Sequence, residues 1–430
     1  MNAYFNRINA FCLLFIFATA GYANGIFSDT TRVYAVPTLT RTPTNDVALS
    51  WTEKDDSGIV YFYWAKSGDR GKTFGDKKLI YSAAGIGNSR LMRPKLLFRK
   101  DGSAVAVFAL RGPESTSPPT GVTHTPAQEP AHAAHDAHGS AHQADAPKAV
   151  RQGGGRPSDL QIVSCSSTDQ GNTWTLPTPV HANKTPNIVR GFFDATVLAN
   201  GEIGVAYLND IQGKAHQRDL RFVTTTRGKF GAEKILDPFV CDCCNISLLV
   251  DPAGALHLYY RENQDNIRDI AQMSSTDNGQ TFSKPQILFK DNWQINGCPH
   301  SGPTSIMGGG SPLIAWFSGS QESPGIRVVT EQGKRLFVLD DPTAKNAYLV
   351  PAQKSSVLLW EQSQASENGM TSAIAFRNIA GTAIPATQFV QNTQNGTNAS
   401  GVVVDGQLVV AYEVRKPNNK NEIQWATVNL

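Results

Sequence analysis

Two short stretches concentrate the side chains best suited to chemistry. CDCCNIS, residues 241–247, sets Cys241, Cys243 and Cys244 within four positions, and GCPH, residues 297–300, adds Cys298 and His300. Such a set can act in three ways. Three or four thiolate and imidazole ligands suit Cu(I) or Zn, and a closed four-coordinate Cys/His set suits structural zinc. In an oxidising compartment the same thiols can close two disulfides, Cys298 with Cys243 or Cys244 and Cys241 with the remaining vicinal member. An accessible thiolate with a resolving partner can also exchange disulfides. The dense turn is read here as unlike the Cys-x-x-Cys turn of the usual oxidoreductases.

A second ligand-rich segment is the insertion at 112–158, which carries His124, His132, His135, His138 and His142 among Ala, Pro, Gly and Gln. Its composition can hardly bury a core, so it reads as a surface loop. Flexible imidazole tracts collect borderline and soft metals. The bland alternative is a tolerated low-complexity insertion. Cys165, in a strand-like run, reads as a buried thiol. His181, His216 and His257 belong to no comparable cluster and read as surface or packing residues.

The elements that must position these residues repeat along the chain. SGDRGKTF (67–74), STDQGNTW (167–174) and STDNGQTF (275–282) share the pattern Ser-x-Asp-x-Gly-x-Thr-aromatic. Asp accepts N–H groups of its own turn, Gly supplies a positive φ, and the aromatic returns to the core. Longer strand–turn–strand units recur at roughly 50-residue spacing once the insertion is removed, a blade-like period that argues for radial repetition around a channel. They include RPKLLFRKDGSAVAVFALRG, FDATVLANGEIGVAYLND and NASGVVVDGQLVVAYEVR.

These features resemble the Asp-box (BNR) repeats of the sialidase-like β-propellers. The resemblance implies an all-β chain folded as one propeller over 24–430, with Asp69, Gly71, Asp169, Gly171, Asp277 and Gly279 as structural Asp-box residues. Counting inner hairpins predicts seven blades, with six as the alternative and with the segment near 25–32 closing the last blade. In this topology the loops leading into each inner strand share a face with the loops joining second to third strands. That rule places Cys241, Cys243, Cys244, Cys298 and His300 together at the channel mouth, on the face of the His-rich insertion. Arg93, Asp194, Arg261 and Arg268 are expected there as polar lining.

Sialidases bind the substrate carboxylate with an arginine triad and use a Tyr nucleophile assisted by Glu. They also carry a Tyr/Phe-Arg-Ile-Pro segment. Here the nearest text is TRVYAVPTL, with Arg32 shifted away from Pro37. No complete catalytic pattern transfers, so catalytic residues stay unassigned. Arg190, Asp210, Tyr260, Glu262 and Asp269 are the loop-base residues that such chemistry could draw on.

The N-terminus bounds the compartment. Residues 1–23 read as a cleaved secretory signal, with an apolar core too short for a membrane span, so the chain is expected in the periplasm or outside the cell. Removing the signal removes Cys12 and leaves five cysteines, an odd number. A formal charge of +3 spread over 39 basic and 36 acidic residues gives no sign of a nucleic-acid partner. Stable membrane insertion is not expected. Three functions remain open: non-catalytic binding of copper, with zinc as the alternative; a sialidase-like glycoside hydrolase or glycan-binding protein; and a scaffold for a periplasmic protein, its face stapled by disulfides.

Overall fold

The computed structural model describes residues 26–112, 159–214, 216–353, 355–366, 369–380, 386–416 and 420–430. The signal segment and, apart from Gly112, the His-rich insertion lie outside the described residues. Seven antiparallel sheets follow one another in sequence, spanning 33–83, 95–179, 190–240, 247–289, 304–339, 345–389 and 396–429. They are the blades of a seven-bladed β-propeller. Among the described residues no helix is long and apolar enough to cross a membrane.

The second strand of each blade reads as a nearly continuous apolar run because blades cover it on both faces. Val47–Lys54, Ala104–Arg111 and Ser311–Ser318 are buried over most of their length. The core is therefore divided into slabs between blades. Phe62 and Trp64 of blade 1 pack with Phe108 and Cys165 of blade 2, and Leu349 and Trp360 of blade 6 pack with Ala315 and Val328 of blade 5. Cys165 is buried as expected, and burial pushes its thiol up to about 12.

Closure differs from expectation. Blade 7 has three strands among the described residues, and 26–32 forms turns. The segment closes the ring by side-chain packing instead. Phe27 lies edge-on to Trp51 of blade 1 at 4.9 Å and to Trp425 of blade 7 at 6.0 Å. The Tyr34 N–H donates to the Asn421 carbonyl at 3.1 Å.

The three Asp-boxes have one construction. In the second, Asp169 Oδ1 accepts the Thr173 N–H at 2.9 Å and the Ser167 hydroxyl at 2.8 Å, while the Gly171 N–H donates to Ser167 Oγ at 2.8 Å. The hydrogen bonds from Thr173 and Ser167 hold the Asp169 carboxyl well below the usual range. Each box also rivets its blade to the preceding one. The Trp64 indole of blade 1 donates to the Gly171 carbonyl at 3.3 Å, and the Trp425 indole of blade 7 donates to the Lys72 carbonyl at 3.4 Å.

Candidate metal centre at the channel mouth

Cys241 follows the outer strand Lys234–Val240 of blade 3, and its N–H donates to the Arg261 carbonyl of blade 4 at 3.1 Å. That bond anchors the loop before it turns toward the inner strand Ser247–Val250. Arg218 Nη1 donates to the Asp242 carbonyl at 2.7 Å, and its guanidinium covers the Phe192 ring, which packs against the three-cysteine cluster. The turn thus tucks Cys241, Cys243 and Cys244 beneath an aromatic lid, at 1%, 4% and 2% exposure.

The second loop approaches from blade 5. Asn245 and Gly302 clasp the two loops: the Gly302 N–H donates to Asn245 Oδ1 at 2.9 Å, and the Asn245 amide donates to the Pro303 carbonyl at 3.2 Å. The approach requires glycine, because a Cβ on Gly302 would lie 1.8 Å from the Asn245 carbonyl oxygen. Arg261 Nε holds the Ser301 carbonyl at 2.8 Å, and Arg90, reaching from the loop into blade 2, holds the His300 carbonyl at 3.1 Å. Cys298 and His300 are left exposed.

Two ligand sets result. The ligand atoms of Cys241, Cys243 and Cys244 lie within 4.8 Å of one another, and so do those of Cys243, Cys298 and His300. Cys243 belongs to both. All five described cysteines are free thiols. The Cys241 and Cys244 sulfurs are 3.1 Å apart, and those of Cys241 and Cys243 are 3.9 Å apart. Cys241 and Cys244 do stand at Cys-x-x-Cys spacing, which corrects the reading that the turn is unlike an oxidoreductase turn. Their burial nevertheless denies a protein disulfide direct access to either sulfur.

Electrostatics favour one thiolate within the metal-free cluster. Hydrogen bonds from Cys243 and Cys244 hold the Cys241 thiol well below its ordinary value, and the Arg261 guanidinium acts in the same direction. Donation to Cys241 pushes the Cys243 thiol up, and burial raises Cys244. The hydrogen bond with Cys243 lowers the Cys298 thiol. Metals require thiolates, so this set is partly prepared for one.

Arg93 and Asp194 line the central cavity of about 120 Å³ beside this cluster, together with Arg90 and Lys95. Asp194 pairs with Lys95 at 2.7 Å and accepts the Leu248 N–H at 2.8 Å. The Arg93 guanidinium donates to the Pro37 and Asn398 carbonyls. Arg261 and Arg268 do not line the cavity. Arg261 is a buried rivet between blades 4 and 5, donating also to the Arg268 and Phe317 carbonyls. Arg268 is buried, with Nε and Nη1 lacking a hydrogen-bond partner among the described residues. Tyr260 is 1% exposed and donates to Asp237 at 2.6 Å, so it is closed to a sugar ring. Arg190 is likewise buried, donating to the Asn183 carbonyl at 3.1 Å.

Reasoning from sequence missed three residues. Arg90 bridges the cavity to the cysteine loop. Asp242 places one oxygen 3.4 Å from Cys298 Sγ and the other 3.7 Å from His216 Nδ1. His216 lies in a loop joining second to third strands, and the face rule already used for the cysteines would have found it.

Comparison with known proteins agrees with the propeller fold. Residues 148–299 match the BNR repeat-like domain. The chain has a seven-bladed β-propeller fold, and this part of it carries the BNR-like repeat. No curated protein matches it. A propeller-sized match is a protein of unknown function from Dyadobacter fermentans DSM 18053, 13% identical, covering 94% of this chain and 97% of that one with a TM-score of 0.52. An ulvan lyase of a new polysaccharide lyase family, bound to -[GlcA(1-4)Rha3S]-, is 12% identical over 93% of this chain and 96% of its own, also with a TM-score of 0.52. A Hadza microbial sialidase is 12% identical over 89% of this chain and 77% of its own, with a TM-score of 0.44. At these identities the likeness is one of fold.

Proposed function

We propose that this propeller is an exported, non-catalytic binder of a soft metal ion, held by Cys241, Cys243, Cys244, Cys298 and His300. The observation that carries the reading is the pair of ligand sets, each drawn within 4.8 Å, at the junction of blades 4 and 5. Thiolate-rich sets select Cu(I) or Zn. Cu(I) is the favoured ion, because each set offers three ligands where structural zinc closes four. Arg261 and Arg90 supply positive charge beside the thiolates. Elemental analysis and free-thiol counting test the reading, followed by Cu(I) and Zn titration of the parent and of a variant with these four cysteines changed to serine. Equal uptake by the two proteins would overturn it, and a count of one free thiol without metal would reduce the cluster to two disulfides.

A second reading is an acidic-glycan site in the central cavity, whether for binding or for cleavage. It draws on the guanidinium groups of Arg90 and Arg93, which make no ion pair there among the described residues, and on the sialidases and ulvan lyase that share the fold. Screening uronate and sialate oligosaccharides against the parent and Arg93→Ala tests it. Binding that survives Arg93→Ala unchanged would place any glycan elsewhere.

A further inference from the structure

The two ligand sets differ in what surrounds them. Cys241, Cys243 and Cys244 are buried beneath Phe192, whereas Cys298 and His300 face solvent, and only Cys243 is common to both. A single closed site would need no exposed set, and a surface site would need no buried one. Resting on the metal-binding reading, we propose that the cluster is a two-position relay for Cu(I): the ion arrives on Cys243, Cys298 and His300 and moves inward to Cys241, Cys243 and Cys244 with Cys243 bound throughout.

The chemistry is ligand exchange without change of oxidation state. At the outer position Cu(I) takes the sulfurs of Cys243 and Cys298 and an imidazole nitrogen of His300. Cys241, whose sulfur lies 3.9 Å from that of Cys243, then adds as a thiolate, Cys298 and His300 leave, and Cys244 completes the inner set. Each thiol that becomes a ligand releases its proton to solvent, and each departing thiolate can recover one. Cu(I) suits such a step because it is soft and takes thiolate and imidazole ligands alike. The outer loop is held for this task from two directions, by Arg90 on the His300 carbonyl and by Arg261 on the Ser301 carbonyl. Asp242, with His216 at its far oxygen, stands beside Cys298 on the solvent side and places negative charge where a cation arrives.

The relay separates equilibrium from rate. Cu(I) is loaded anaerobically on the full chain, and its removal by bicinchoninate is followed by absorbance. In the Cys298→Ser, His300→Ala variant the inner set is intact, so affinity should stay within a few-fold of the parent while exchange slows by at least roughly tenfold. Cys241→Ser should instead lose the tight affinity yet keep rapid exchange on the outer set. Exchange at the parent rate in the double variant, or complete loss of Cu(I) from it, would overturn the relay and leave a single site. A parent protein that binds no Cu(I) would overturn the metal reading itself, a different outcome. Cys298 and His300 are exposed, so the double variant can be checked for an unchanged melting temperature before its kinetics are compared.

Discussion

The Cys241 and Cys244 sulfurs stand 3.1 Å apart, within a turn that also brings the Cys243 sulfur to 3.9 Å from Cys241. Two thiolates on one metal with bonds near 2.3 Å lie roughly 3.8–4.0 Å apart, and a disulfide needs about 2.05 Å. The Cys241–Cys243 spacing is therefore already that of shared ligation. The Cys241–Cys244 pair sits between the two outcomes, and opening by less than an ångström is the smaller of the two adjustments.

Metal binding should be proton-linked in a countable way. Before binding, the hydrogen bonds among the three sulfurs favour the thiolate at Cys241 and, with burial, the protonated thiol at Cys243 and Cys244. Three thiolates afterwards, less one before, releases about two protons per ion at neutral pH. Affinity should rise with pH, and isothermal titration in buffers of different ionisation enthalpy reads the number. Release of no protons would mean that the inner set does not bind as three thiolates.

Glu262 ties stability to pH from the other side of the same loop. Burial, with Asp237 close by, raises its carboxyl to about 7. An acid raised on folding binds its proton more tightly in the native state, so stability falls as pH rises from about 4.5 toward 7. Glu262→Gln removes that loss. It should gain about 1–2 kcal/mol at pH 8, after discounting for partial exposure, and only about a quarter of that at pH 5. Thermal melts of both proteins at the two values check it.

The fold was legible because its signals are local. Asp169 and Gly171 announce a turn by chemistry contained in eight residues, and runs such as IGVAYLND announce a strand covered on both faces. Closure was not legible in this way. Phe27 joins Trp51 to Trp425, the latter nearly the whole chain length away, and an aromatic that packs there looks the same in sequence as one that pairs as a strand. The neighbouring cysteine loops followed from blade order. The functions of Arg261 and Arg268 did not, because position at a loop base does not say whether a guanidinium points into the channel or folds back onto carbonyls. Asp242 and His216 were overlooked for a related reason: each gains its meaning only from the other and from Cys298.

Asp291 should be a costly residue to remove although it lies in a loop. Its Oδ1 pairs with Arg327 at 2.6 Å and its Oδ2 accepts the Trp316 indole N–H at 2.7 Å. Arg327 and Trp316 are almost fully buried. Asp291→Ala leaves an unpaired guanidinium inside the blade, a change that costs about 3–5 kcal/mol. Urea unfolding reads the loss, and a cost below about 1 kcal/mol would show that water reaches Arg327.

The Asp-box rivet can be separated from the Asp-box turn by a pair of glycines. Gly171 has φ +75°, and a Cβ there would lie 2.5 Å from the Trp64 ring of the preceding blade. Gly201 has φ +81° with nothing within 4 Å of the same position. Gly201→Ala should therefore cost only the left-handed backbone term, about 1 kcal/mol. Gly171→Ala must add displacement of a buried indole, for a total of roughly 2–4 kcal/mol. If urea unfolding gives equal losses for the two variants, the box contributes its turn and no interblade packing. A larger loss for Gly171→Ala, with Trp64 fluorescence shifted in the native state, would place the second function of the motif at the seam between blades 1 and 2.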